Sequence, residues 1–183
     1  MAAVEFALIV PLLLCMYFVT VEVGQGIETN KKVGRVGSMV ADLVAQQTDM
    51  SKDELIAIMK IGQSIVQPYN RGEPKIVVTA IQMTNDASPR VNVLWWGKLE
   101  NGAYTGDVPA NETTTVPAAL VSQGAFLIRV EAFLEYKPII AWAAENNASL
   151  GLAAAFDNIS MKETFHLRPR RTSLMTCATC KSS

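Results

Sequence analysis

Two cysteines near the C-terminus, Cys177 and Cys180, are the residues whose spacing most directly suggests chemistry in this 183-residue chain. A Cys-x-x-Cys pair can be a redox centre, half of a zinc site or a structural disulfide. Redox chemistry of the thioredoxin type needs the pair at the start of a helix that follows a strand, and here it lies in a tail rich in Thr, Ser and Lys. Zinc would need two further ligands, and His166 is the only histidine. These observations count against the redox centre and the zinc site, and the residues alone leave the three interpretations open.

The remaining candidates for chemistry are weaker. His166 lies in a predicted strand without a serine or cysteine arranged beside it, which favours a structural role. Trp95 and Trp96 are adjacent, so in a strand they face opposite sides, one towards the core and one towards the surface. The sequence contains no Gly-rich phosphate loop, no carboxylate pair at helical metal spacing and no nucleophile elbow. We therefore predict a protein that is not an enzyme and that needs no cofactor or metal.

Glu5 is a carboxylate in an apolar N-terminal segment, where a charge costs free energy. The chain opens MAAVEFALIVPLLLCMYFVTVEVGQG, and residues 1–21 are interrupted strongly only by Glu5 and Thr20. About 20 such residues suffice to span a membrane as a helix. A charge near the middle of a span costs about 2.5–3.5 kcal/mol on insertion scales. Either Met1 is the initiator and Glu5 reaches water at the interface, or Met1 is a processed N-terminus and the ammonium of a neighbouring subunit pairs with Glu5.

Flanking charges bear on how this segment lies in the membrane. No Lys or Arg precedes Lys31, and Thr20-Val21-Glu22-Val23 is a poor cleavage site, so we expect a retained span of about residues 1–23 rather than a cleaved secretory signal. Lys31, Lys32 and Arg35 follow the span, which by the positive-inside rule would place the rest of the chain in the cytoplasm. If a short basic leader preceded the span before processing, counting its charges would reverse the predicted orientation.

Hydrophobic periodicity predicts two helices. Apolar residues recur at spacings of three and four from Val33 to Val44. The residues between them and the span include two glycines but no proline, so we expect one rod of about 45 residues, in which Pro11 allows a kink. A second helix begins at the capping-box pair Ser51 and Glu54 and ends before Pro68.

From Lys75 the period changes to two, which predicts strands. We expect a hairpin around the turn Asn85–Pro89, a long loop over Gly97–Pro117, and a short helix and loop over residues 139–156. Local connections between successive strands favour an antiparallel sheet and an α+β fold. The predicted strands are Lys75–Met83, Arg90–Trp96, Ala125–Tyr136 and Ser160–Leu167. The predicted regions are an N-terminal helix (1–48), a second helix and loop (49–74), a β-rich domain (75–171) and a cysteine-containing tail (172–183).

Composition and charge limit the partners. The formal net charge is −1, so the chain has no basic footprint for nucleic acid, and we exclude that function class. Arg168, Arg170 and Arg171 form a small basic group near the end. It is either a solvated terminus or a contact for lipid headgroups or an acidic neighbour.

The N-terminal residues carry a resemblance to a known family. Glu5 followed by Phe6 and then A-L-I-V-P-L-L-L is similar to the processed N-terminus of type IV pilin-like proteins. With V-E-V-G after it, the segment resembles the TadE/TadG-like pseudopilins of tight-adherence (Tad) pilus systems more than the major pilins. V-x-D-L-V-A-Q (Val40–Gln46), R-V-E-A-F-L-E-Y-K-P (Arg129–Pro138), F-H-L-R-P-R-R (Phe165–Arg171) and a cysteine near the C-terminus also resemble that family.

This resemblance implies a minor pilin that helps to build a Tad-type pilus. A prepilin peptidase would remove a short basic leader ending in Gly, so that Glu5 becomes the fifth residue of the mature chain. The globular part would lie on the periplasmic side of a bacterial inner membrane, with other pilins and the assembly platform as partners. In that setting we expect Cys177 and Cys180 to form a small disulfide loop or to pair with a partner. The residues implied in processing and assembly are Met1, Glu5 and Phe6, and those implied in packing within the membrane are Leu8, Ile9, Pro11, Leu12 and Leu13.

An alternative from another functional class stays open. The second hypothesis is a single-span envelope protein whose β-rich domain binds a ligand or a partner, and the sequence features do not exclude it. The identity of the mature N-terminus distinguishes the two, because only the pilin-like protein would lose a leader immediately before Met1.

Overall fold

A single long helix, α1 (Ala2–Ala45), forms the N-terminal part of the computed structural model, which describes residues 2–66, 73–110, 112–136 and 159–181. It contains 44 residues and is about 66 Å long at 1.5 Å per residue. Pro11, Gly24 and Gly26 all lie inside it. The prediction of one continuous rod is therefore confirmed.

The second helix, α2 (Lys52–Val66), begins as the sequence predicts. The backbone N–H of Ser51 donates to the Glu54 carboxylate at 3.0 Å, and the Glu54 N–H donates back to Ser51 Oγ at 3.3 Å. This reciprocal pair satisfies amide groups that would otherwise have no partner in the first turn. Leu55, Ile58 and Met59 on the predicted apolar face are buried.

Five antiparallel strands form one sheet in the order β3-β2-β1-β4-β5. The long N-terminal helix followed by this sheet is the α+β fold that we predicted. The strands are β1 (Lys75–Met83), β2 (Val91–Glu100), β3 (Ala103–Asp107), β4 (Phe126–Tyr136) and β5 (Ile159–Leu167).

The predicted loop over Gly97–Pro117 is wrong in its first half. Strand β2 continues to Glu100, and β3 returns beside it with Glu100 opposite Ala103. The two residues between them, Asn101 and Gly102, have positive φ values of 49° and 72°. An Asn-Gly pair adopts these angles readily and is a strong signal for a tight hairpin, so the sequence did contain the evidence for β3.

The helices cover one face of the sheet. Helix α1 packs on β4 and β5 through the half that follows the apolar segment, and α2 packs beside it. Two close approaches use glycine: a Cβ on Gly37 would lie 2.7 Å from the Phe165 ring, and one on Gly62 would lie 2.6 Å from Val40 Cγ2. The central core residues include Val33, Val36, Val40, Leu55, Met59, Ile76, Val78, Trp95, Leu99, Ile128 and Val130.

The opposite face of the sheet carries a smaller apolar cluster. Ile81, Met83 and Leu127 are buried there beneath the connection between β3 and β4, which includes a short 3₁₀ helix (Ala118–Leu120). The predicted helix and loop over residues 139–156 fall outside the described residues, as does most of the predicted loop between Gln67 and Pro74.

Candidate functional site on the N-terminal helix

The first half of α1 is an apolar helix that no other described part of the protein covers. The exposed fraction is 71% for Phe6, 77% for Leu8 and 57% for Leu13. An 18-residue window of this helix has a mean hydropathy of 2.3 and is 0% buried. A helix of this length and composition can cross a membrane.

Glu5 lies within this uncovered segment and is itself exposed. Helical spacing puts Glu5 on one face with Leu8, Ile9 and Leu12, while Phe6 and Leu13, seven residues apart, share a neighbouring face. A carboxylate in the first turn interacts favourably with the helix dipole by about 0.3–1 kcal/mol. A charge at the centre of a span costs about 2.5–3.5 kcal/mol, so the helix end would not offset the Glu5 charge if this turn lay deep in the hydrocarbon.

The structure thus places the predicted residues together on one exposed helix that no other described part of the chain covers. Pro11 is also exposed. Met1, whose ammonium we expect to take part, lies outside the described residues.

Where the uncovered segment meets the globular part, a buried carboxylate joins the helix to the sheet. The Tyr136 hydroxyl, at the end of β4, donates to Glu22 Oε1 at 2.6 Å, and Glu22 is only 9% exposed. Thr29, 2% exposed, donates its hydroxyl to the Gln25 carbonyl at 2.8 Å. The Thr29 bond lies within α1, whereas the Glu22–Tyr136 bond joins the helix to the sheet where α1 leaves the domain. The Glu22–Tyr136 pair was not predicted, because no local pattern links residues so far apart in sequence.

The C-terminal tail contains the expected disulfide. Cys177 and Cys180 are bonded, with their Cα atoms 5.5 Å apart, and both are buried. The third cysteine, Cys15, is free and exposed on the apolar part of α1.

Hydrogen bonds attach this tail to three elements. The Trp95 indole N–H in β2 donates to the Met175 carbonyl at 3.0 Å, and the Tyr104 hydroxyl in β3 donates to the Cys180 carbonyl at 2.8 Å. The Lys52 N–H, in the first turn of α2, donates to Thr179 Oγ1 at 3.0 Å. Burial raises the pKa of Tyr104 to about 12, so its hydroxyl stays protonated and remains a donor at neutral pH. The tail therefore clamps α2 to the edge of the sheet.

Two arginines of the basic group near the end of β5 bind to other residues of the same chain. Arg170 forms an ion pair with Asp42 of α1 at 2.9 Å, and its backbone N–H donates to the Ala45 carbonyl at 3.0 Å. Arg168 donates to the Ser122 hydroxyl at 3.3 Å, and Arg171 is exposed. Two of the three arginines thus help to hold α1 and the β3–β4 connection against the sheet.

His166 is half-buried in β5, opposite Arg129 of β4. Burial and the positive charge of Arg129 lower its pKa, against an opposing effect of Glu131. A neutral structural side chain is consistent with this position. Across the described residues, no three His, Cys, Asp or Glu side chains stand close enough to hold a metal ion.

Comparison with known proteins agrees with the N-terminal resemblance. The family model described as TadE-like protein matches residues 1–41. The match covers the uncovered apolar segment and most of the part of α1 that packs on the sheet, and it does not extend to the sheet. No curated protein and no solved structure matches this chain.

Proposed function

We propose that this chain is a minor pilin, or pseudopilin, that takes part in assembling a Tad-type pilus. The TadE-like match associates its N-terminal segment with the Tad pilus system. Helix α1 would anchor the chain in the bacterial inner membrane and pack against the helices of other pilins. Its work would be assembly rather than catalysis.

One observation carries this proposal. The segment that matches TadE-like proteins contains a membrane-length apolar stretch of helix that the rest of the described chain leaves uncovered. A lone apolar anchor needs no carboxylate, whereas an assembling helix can use Glu5 to set its register against a neighbour's N-terminus. One helical turn rises about 5.4 Å, so a small axial offset between adjacent helices would bring the two charges together.

The same proposal assigns sides of the membrane and partners. A prepilin peptidase would cut on the cytoplasmic face immediately before Met1, and the sheet domain would lie on the periplasmic side. Other major and minor pilins and the assembly platform would then contact α1. The positive charges after the span alone favour the opposite orientation, and the basic leader on the cytoplasmic side would counter them.

Site-specific photo-cross-linking in cells that build the pilus tests the proposal. A cross-linking amino acid at Leu13, on the uncovered helix, is expected to capture other Tad pilins. The same amino acid at Val108, which is 42% exposed on the globular part, is the matched control and is expected to capture few or none. Pilin products from Val108 but not from Leu13 would contradict packing through the helix. Products only with non-pilin envelope proteins would favour the single-span binding protein.

A further inference from the structure

An apolar groove lies where α1 leaves the sheet domain. One wall is the helix from Val19 to Asn30, and the other is the adjoining ends of β4 and β5 around Tyr136 and Met161. Its volume is about 480 Å³, within the range of about 300–1,000 Å³ typical of small-molecule sites.

The chemistry of the lining favours an aliphatic ligand. The lining is mainly apolar and includes the side chains of Val19, Val23, Ile27, Ile159 and Met161, beside the polar residues Asn30, Ser160 and Lys162. The acidic group in the wall, Glu22, already accepts the Tyr136 hydroxyl hydrogen bond. A peptide inserted here would bring backbone N–H and C=O groups that need partners, whereas a hydrocarbon chain brings no polar group whose burial costs free energy.

The position of the groove indicates where such a chain would come from. Val19, Val23 and Ile27 are spaced by four residues, so they continue one stripe of the uncovered apolar helix. If the span begins near Val4, about 20 residues end it near Val23. The lower end of the groove is then level with the hydrocarbon of the membrane. Asn30, at its upper end, is about 16 Å higher along the helix at 1.5 Å per residue.

We propose that this groove binds an acyl chain of a membrane phospholipid, held between α1 and the ends of β4 and β5. Only the membrane anchoring within the proposed function is required for this inference. The lipid would enter sideways from the leaflet, along the stripe that the span and the groove share. Its binding would fix the height of the sheet domain above the membrane.

Two glycines of α1 offer a matched pair of variants. A Cβ on Gly26 would lie 3.9 Å from Tyr136 Cε1, an ordinary contact, so the rest of a leucine side chain would extend into the groove. A Cβ on Gly24 would meet nothing within 4 Å. Gly26→Leu therefore fills the groove, while Gly24→Leu adds the same side chain to the same helix outside it.

The test uses the full chain in vesicles of phosphatidylethanolamine and phosphatidylglycerol that contain a phospholipid with a photoreactive acyl chain. Lipid adducts are mapped by mass spectrometry. We expect adducts on Met161 in the wild-type chain and in Gly24→Leu, and their loss in Gly26→Leu. Val23→Trp is a second groove-filling variant, with the same expected loss, should Gly26→Leu fold poorly.

Adducts on residues 4–18 report membrane insertion independently. If these residues are labelled but Met161 is not, or if filling the groove leaves Met161 labelling unchanged, the lipid site is wrong while the anchoring stands. If residues 4–18 are not labelled either, the membrane anchoring fails together with the proposed function. A third outcome is that the wild-type chain forms a dimer, shows no adducts on Met161, and becomes monomeric in Gly26→Leu. This would show that a second copy fills the groove, and it would also overturn the lipid site.

Discussion

Glu5→Ala is expected to leave the chain inserted in the membrane and to abolish its assembly with other pilins. Removing a charge from an apolar span lowers its insertion cost, so insertion should not suffer. The packing residues Leu8, Ile9 and Leu12 remain on the same face. What is lost is the group that would pair with a neighbour's ammonium and set the register between helices.

Membrane fractionation and electron microscopy of pili measure the two effects separately. Glu28→Ala is the matched control, because it also removes an acid from α1. Glu28 lies beyond the uncovered segment and pairs with Lys32 at 3.5 Å on the helix surface. Glu28→Ala should leave piliation unchanged. Normal piliation in Glu5→Ala would count heavily against the registering charge.

Removing the disulfide is the second change with a large expected effect. Cys177→Ala with Cys180→Ala should lower the free energy of unfolding by about 2 kcal/mol, the chain-entropy value for so short a loop. For a chain of this size that is about 4–8 °C in Tm. The hydrogen bonds from Trp95, Tyr104 and Lys52 to the tail would weaken as well, because the tail that accepts them is no longer constrained.

Thermal unfolding of the full chain in detergent, with and without a reductant, measures this effect. The reductant should lower the Tm of the wild-type chain and leave that of the double variant unchanged. Cys15→Ala is the control, since Cys15 is free and exposed, and it should behave as the wild type. Equal Tm values for the wild-type chain and the double variant would show that the tail keeps its position without the covalent bond.

Patterns local in sequence predicted the elements well. Helix α1, the Ser51–Glu54 cap and β4 follow from the spacing of apolar side chains and from capping chemistry, which depend on neighbours within a few residues. The burial of Ile128, Val130 and Ala132 follows from alternation along β4. The hairpin of β2 and β3 could also have been predicted, because Asn101-Gly102 is a local signal for a tight turn.

The contacts that shape the candidate site could not be predicted from such local patterns, because they join residues far apart in sequence. The Glu22–Tyr136 hydrogen bond joins residues 114 positions apart, and Trp95 meets Met175 across 80 positions. Periodicity assigns a residue to a face of its own element but does not say which distant residue lies against that face. The tail is rich in Thr, Ser and Lys, yet Met175 and both of its cysteines are buried.

The N-terminal sequence of the mature chain tests the central claim most directly. It should be determined on protein from cells with an intact Tad system and from cells that lack the prepilin peptidase. We expect Met1 as the first residue in the former and a longer chain, with a basic leader ending in Gly before Met1, in the latter. The same N-terminus in both strains, or a gene whose first codon is that of Met1, would contradict the account.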